Sequence, residues 1–144
     1  MISFYPGYFG WLGNQMFQYA ATFAASKRMG VDCGFPENSP NLFELFLLSA
    51  KKTNETQPSV YAEPHFHYAE IPQLDNLTLH GYFQSEKYFK EFRDEIKSEF
   101  TLRSPKYSKE LDQEYIALHV RRGDYLNHPN IHPTCPEKYY RDAL

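Results

Sequence analysis

The first 35 residues restrict the fold more than any other part of the chain. Met1-Ile2-Ser3-Phe4-Tyr5 is strand-like, Pro6-Gly7 signals a turn, and Gly10-Trp11-Leu12-Gly13-Asn14-Gln15 opens a helix. From Gln15 to Arg28 the apolar positions Met16, Phe17, Tyr19, Ala20, Phe23 and Ala24 recur at helical spacing, and Gly30 supplies a stop. Asn14 is the expected N-cap, because its side-chain oxygen can accept from the free N–H groups of a first turn. Val31-Asp32-Cys33-Gly34-Phe35 then reads as a second strand. Strand, helix and strand in succession predict a parallel pair joined by a right-handed crossover, so the chain belongs to the α/β class. The glycine spacing is not GxGxxG, and no GK[ST] run occurs, so neither of those nucleotide-binding loops is supported.

Further along, Pro36 and Pro40 mark a loop, Leu42–Ser49 a short helix or buried turn, and residues 51–76 a polar, proline-punctuated stretch. Leu77–Phe83 has strand composition. Ser85 caps an expected helix over roughly Ser85–Phe100, whose stripe of Tyr88, Phe89, Phe92, Ile96 and Phe100 is core packing. Ser104-Pro105 breaks the chain, Ser108–Glu114 is short and polar, and Tyr115–Val120 is the next expected strand. Thr134-x-x-Glu137, with Pro136 between, reads as a capping box before a last helix carrying Tyr139, Tyr140 and Ala143. His65 and His67 flank Phe66 with no third ligand nearby, which favours surface or hydrogen-bonded histidines over a metal site, and His80 reads as structural.

The run His119-Val120-Arg121-Arg122-Gly123-Asp124-Tyr125 follows the apolar Tyr115-Ile116-Ala117-Leu118. Two adjacent guanidiniums stay charged and need acidic partners, and their planar forks suit phosphate or carboxylate oxygens. The reading is an anion site; the alternative is that Arg121 or Arg122 pairs with Asp124 and ties down a loop. Open α/β sheets bind ligands beyond the carboxyl ends of their strands, where the Gly10–Asn14 and Arg121–Tyr125 loops are both expected. If their strands are neighbours, the two loops converge on one ligand.

A chain of 144 residues, 42% hydrophobic and 17% aromatic, has material for one domain core. Its formal charge of −3 and the lack of any basic stripe longer than a pair disfavour nucleic acid as a partner. No apolar run approaches the roughly 20 residues that cross a bilayer, and no signal-type segment opens the chain. A cytoplasmic protein is expected, with loose peripheral association at a membrane left open. Cys33 and Cys135 fit no metal or redox spacing and read as free thiols, while the glycan-acceptor patterns at Asn54 and Asn76 read as ordinary loop residues.

Three blocks occur in order: Gly10-x-Leu12-Gly13-Asn14-Gln15-Met16-Phe17-Gln18-Tyr19-Ala20, Gly81-Tyr82-Phe83-Gln84-Ser85-x-x-Tyr88-Phe89, and His119-x-Arg121-Arg122-Gly123-Asp124-Tyr125. Together they resemble the α-1,2-fucosyltransferases, glycosyltransferase family 11; Leu42–Phe46 also looks like a short family segment. The resemblance implies a Rossmann-like parallel sheet in the N-terminal lobe of a GT-B-like, two-lobed enzyme. It implies an acceptor-side lobe over residues 1–114, then residues 115–144 as a strand, the basic loop and the start of a donor-side segment. The implied reaction is inverting, metal-independent transfer of L-fucose from GDP-fucose to the 2-hydroxyl of a β-galactoside.

By the same resemblance Arg121 and Arg122 stabilise the departing phosphate, His119 and Asp124 shape the donor pocket, and Gly13, Asn14 and Gln15 line the cleft between lobes. The general base is unassigned. No cofactor is implied beyond the donor substrate GDP-fucose, and no metal ligands; the partners are that nucleotide sugar and a galactose-terminated glycan. Trp11 stands where the family usually has Gly or Arg, which touches acceptor preference. Only about half of a typical member is covered, so a missing C-terminal lobe and an inactive, truncated chain are expected. The alternatives are an α-1,6- or protein-directed fucosyltransferase and a non-catalytic anion- or glycan-binding module.

Overall fold

The computed structural model describes residues 1–7, 10–39, 42–104, 106 and 116–143. The chain divides into two compact units, Met1–Lys109 and Glu110–Leu144, each described by itself. The first unit contains β1 (Ile2–Phe4), α1 (Leu12–Met29), β2 (Cys33–Phe35), α2 (Leu42–Leu45), β3 (Lys51–Lys52), β4 (Ser59–Ala62), β5 (Leu77–His80) and α3 (Arg93–Glu99). Its five strands are all parallel, in the order β3-β2-β1-β5-β4. The expected α/β, Rossmann-like sheet is therefore present.

Strand periodicity sorts the side chains into rows. Ile2 pairs with Cys33 and Leu77, and Ser3 with Gly34 and Thr78. The row of Phe4, Phe35 and Leu79 faces α1, where Tyr19 meets Phe35 edge-on at 5.4 Å between ring centroids. Each such fully buried aromatic contributes roughly 1.5–3 kcal/mol of apolar burial. The small row faces the other way and is equally buried: Ser3 and Thr78 are 0% exposed.

What covers that row is chain rather than helix. A Cβ on Gly34 would lie 2.9 Å from the Thr53 methyl, and the Gln57 N–H donates to Thr78 Oγ1 at 2.6 Å. Residues 53–57 thus cross the sheet directly over Gly34, Ser3 and Thr78 on the way from β3 to β4. Small side chains permit that approach. Strand order reverses between β1 and β5, which become neighbours at the centre of the sheet.

Several expected elements differ. Trp11, with extended backbone, is the N-cap of α1, and the helix starts at Leu12, so Asn14 lies inside the first turn rather than capping it. Gly30 ends the helix at φ 64°, as its position suggests. The polar 51–76 stretch contains β3 and β4, both exposed and short, so no hydrophobic alternation announces them. The expected 85–100 helix is two 3₁₀ turns, Glu86–Tyr88 and Lys90–Phe92, followed by α3. Phe89, at φ −146°, breaks the run; the break sends Tyr88 into the core and turns the Phe89 ring toward Phe17 of α1 at 5.9 Å. Ser85 does cap the first of these turns, accepting from the Lys87 N–H at 3.4 Å.

The second unit contains a 3₁₀ turn at Gly123–Asn127 and α4 (Glu137–Ala143). Ile116–Val120 forms no strand: it is irregular, and Ile116, Leu118 and Val120 are 84, 51 and 46% exposed. Apolar alternation alone does not make a strand without a neighbour to complete its hydrogen bonds. Tyr115, Pro105 and Ser108–Glu114 lie outside the described residues. α4 begins at Glu137, immediately after Pro136, so Thr134 stands two residues short of the cap position.

Candidate functional site

The carboxyl ends of β1 and β5 bring the first two sequence blocks together. Gly10, at φ 69°, turns the chain into α1; a Cβ there would fall 1.8 Å from Asn14 Nδ2. Asn14 Oδ1 accepts from Gln84 Nε2 at 2.5 Å, joining the head of α1 to the turn after β5. Gln15 is buried, its Nε2 donating to the Gly10 carbonyl at 3.2 Å. Its Oε1 is buried, with no hydrogen-bond partner among the described residues. Gly13 is exposed on the same first turn. In an open parallel sheet the reversal of strand order is where a crevice forms.

Glu63, which sequence reading passed over, holds this rim in shape. Its Oε2 accepts from two consecutive backbone N–H groups, Tyr82 at 2.8 Å and Phe83 at 2.9 Å, while Oε1 accepts from the Tyr88 hydroxyl at 3.2 Å. The Tyr88 oxygen also accepts from the Ala69 N–H at 3.1 Å. Burial pushes the Tyr88 phenol up to about 12, with Glu63 adding to the rise. Phe83 sits at φ 52°, a conformation that non-glycine residues avoid, and its buried ring anchors the turn. Gly81 is needed because a Cβ there would lie 2.5 Å from the Glu63 Cβ. Nothing in the composition of residues 51–76 marks Glu63; the Gly81 requirement was its one indirect signal.

On the second unit, Arg121 Nη2 donates to both oxygens of Asp124 at 2.8 and 3.1 Å, and its guanidinium lies 4.5 Å over the Tyr125 ring. Tyr125 in turn stacks on His132 at 4.5 Å. The Arg–Asp pairing that the sequence left open is thus formed, at the surface, with side chains 47 and 62% exposed. Gly123, at φ 36°, makes the turn between them. Arg122 and His119 are exposed, and the Arg122 carbonyl accepts from the Tyr125 N–H at 2.8 Å, closing the turn.

Among the described residues no group of three or more His, Cys, Asp or Glu gathers as a metal site would require. His65 Nδ1 contacts the His67 carbonyl at 3.0 Å, and His80 lies edge-on to Tyr5 at 4.9 Å. Burial pushes the Cys33 thiol up to about 12, which makes it a poor nucleophile, while Cys135 is exposed. No helix among the described residues is long and apolar enough to cross a membrane.

A model of glycosyl transferase family 11 matches residues 46–144. The chain belongs to glycosyl transferase family 11. Similar curated proteins include an α-1,2-colitosyltransferase from Escherichia coli, 26% identical across 94% of this chain and 60% of the relative. Galactoside α-(1,2)-fucosyltransferase 2 of Hylobates lar is 30% identical over 82% of this chain and 40% of its own length. That of Bos taurus is 28% identical over 94% and 46%. This family 11 chain therefore spans about 40 to 60% of the length of these relatives. No solved structure matches it. The family match covers the Gly81–Phe89 block and the basic loop, and the α1 block lies against the former through Asn14 and Gln84.

Proposed function

We propose that the protein acts in transfer of L-fucose from GDP-fucose to the 2-hydroxyl of a β-galactoside, with inversion and without a metal ion. The observation that carries this reading is family membership, together with the α-1,2 linkage and the galactoside named for several relatives. Cleaving the fucose–phosphate bond builds negative charge on the β-phosphate. Fixed cations aimed at that oxygen lower the barrier in the way oxyanion donors do, each raising the rate by on the order of 10²-fold or more.

In this reading Arg122 is the guanidinium available to the diphosphate, and Arg121, oriented by Asp124, is the second. His119 and Asp124 shape the donor pocket, and Gly13, Asn14 and Gln15 line the ligand-facing rim of the first unit. In this reading no cofactor is needed beyond the donor substrate. A second reading changes the donor: the E. coli relative is named for colitosyl transfer, so the 6-deoxy sugar moved could be colitose instead.

Calorimetric titration with GDP and UDP, followed by incubation with each GDP-sugar and lactose, tests both readings. GDP-selective binding that weakens at least ten-fold in Arg122→Ala, with a 2-linked product, supports the proposal. Absence of GDP binding overturns it, and the better donor in the transfer assay decides between the two sugars.

A further inference from the structure

The carboxyl rim of the first unit exposes more aromatic surface than folding explains. Tyr5 follows β1, Trp11 heads α1, and Phe66 and Tyr68 follow β4; they are 40, 72, 71 and 43% exposed. Among the described residues of this unit, Phe17 on the next turn of α1 is the remaining large aromatic side chain so exposed. Tyr5, Trp11 and Phe66 stand near the end of the sheet where a parallel fold binds ligands, whereas Tyr68 lines a cavity with Arg28 at the far end of α1. An exposed ring keeps apolar area in water at a cost, and a cluster of them marks a binding surface more often than chance.

Phe66 and Tyr82 form the pair with the firmest support. Their ring centroids are 5.8 Å apart with planes inclined at 39°. The Tyr82 backbone is fixed by Glu63 at 2.8 Å, and Tyr82 lies two residues from Gln84, which is bonded to Asn14. The segment that carries this pair contains no basic residue: no lysine or arginine occurs in residues 53–86. That segment offers a diphosphate no cation, whereas its amides and imidazoles suit hydroxyl groups. Aromatic faces beside a few neutral hydrogen-bonding groups are the lining expected for a neutral polyol.

We infer that Phe66 and Tyr82 form a stacking platform for a pyranose ring of the neutral glycan acceptor; the inference rests on the glycosyltransferase reading above. The C–H face of a β-galactose lies against the rings, and its hydroxyls turn toward the rim amides. Phe66 acts here as a binding residue that selects for a sugar at this position and takes no part in the chemistry.

Saturation-transfer-difference NMR of lactose with the protein tests this, with irradiation of the aromatic protons. Transfer to the galactose ring protons is expected, and Phe66→Ala should raise the lactose Kd roughly five-fold, the loss of one partly buried aromatic contact. Phe66→Trp should retain binding, and Leu47→Ala, at an exposed apolar residue on the stretch leading into β3, should leave it unchanged. A Phe66→Ala protein that binds lactose as tightly as wild type overturns the platform. So does wild-type protein that binds GDP but shows no transfer from aromatic protons. Lactose binding that depends on Phe66 in a protein that binds no GDP upholds the platform and counts against the donor assignment alone.

Discussion

The two candidate regions are built on opposite principles. In the first unit, the rim at β1 and β5 is held by contacts between distant parts of the sequence: Glu63 to Tyr82 and Phe83, Asn14 to Gln84, Tyr88 to Ala69. Beneath it lies a core in which Phe4, Phe35, Tyr19, Phe83 and Tyr88 are almost fully buried. In the second unit the ion pairs are local, Arg121–Asp124 at i,i+3 and Lys138–Asp142 and Arg141–Glu137 at i,i+4. None of its described residues is buried. The difference teaches where precision comes from: one region is positioned by tertiary packing, the other by short-range pairing of charges that water already solvates well.

The contrast can be broken most forcefully at Gly81. Gly81→Ala puts a methyl group into the Glu63 side chain and should destabilise the protein by about 3 kcal/mol, read as a lower urea midpoint. Glu63→Ala should follow at about 2 kcal/mol, because two N–H groups and a phenol lose a charged acceptor at once. Glu63→Gln should recover part of that, since an amide oxygen still accepts. If either Glu63 variant melts like wild type, the rim is not held as described.

The Tyr88 phenol sharpens the comparison through pH. Its folded value of about 12 lies above the ordinary 10.0, so the unfolded chain loses its proton first as pH rises. The associated stability is intact below pH 10 and is lost progressively toward pH 12. Urea midpoints across that window should fall less steeply in Tyr88→Phe than in wild type; identical slopes would show that the hydroxyl is not sequestered. The smallest effect is expected in the second unit. Arg121→Ala should change stability by less than about 0.5 kcal/mol, as exposed pairs generally do, and a larger loss would mean that the loop is structurally tied down.

Much of the first unit is legible from residue spacing. The strand–helix–strand opening, the α1 stripe and its Gly30 stop, and the Leu77 strand all rest on patterns within a few residues of one another. The family is legible too: the model of glycosyl transferase family 11 matches residues 46–144, which hold the second and third blocks. Legibility fails where a short element depends on its neighbours. β3 and β4 lack any apolar alternation, and Ile116–Val120 has alternation but no pairing. The 85–100 segment has a helical stripe that two competing long-range contacts interrupt, the Phe89 ring against Phe17 and the Tyr88 hydroxyl on Glu63.

Composition and periodicity, acting over a turn or two of chain, determined the α/β class, the glycine at each sharp turn and the presence of a paired-arginine motif. Only tertiary structure decided that Glu63 grips the turn after β5 and that Asn14 meets Gln84 rather than capping its helix. The physical reason is range. Local backbone preference is encoded residue by residue, whereas a hydrogen bond between residues 19 or 70 positions apart exists only after parallel strands have brought them to the same end of a sheet.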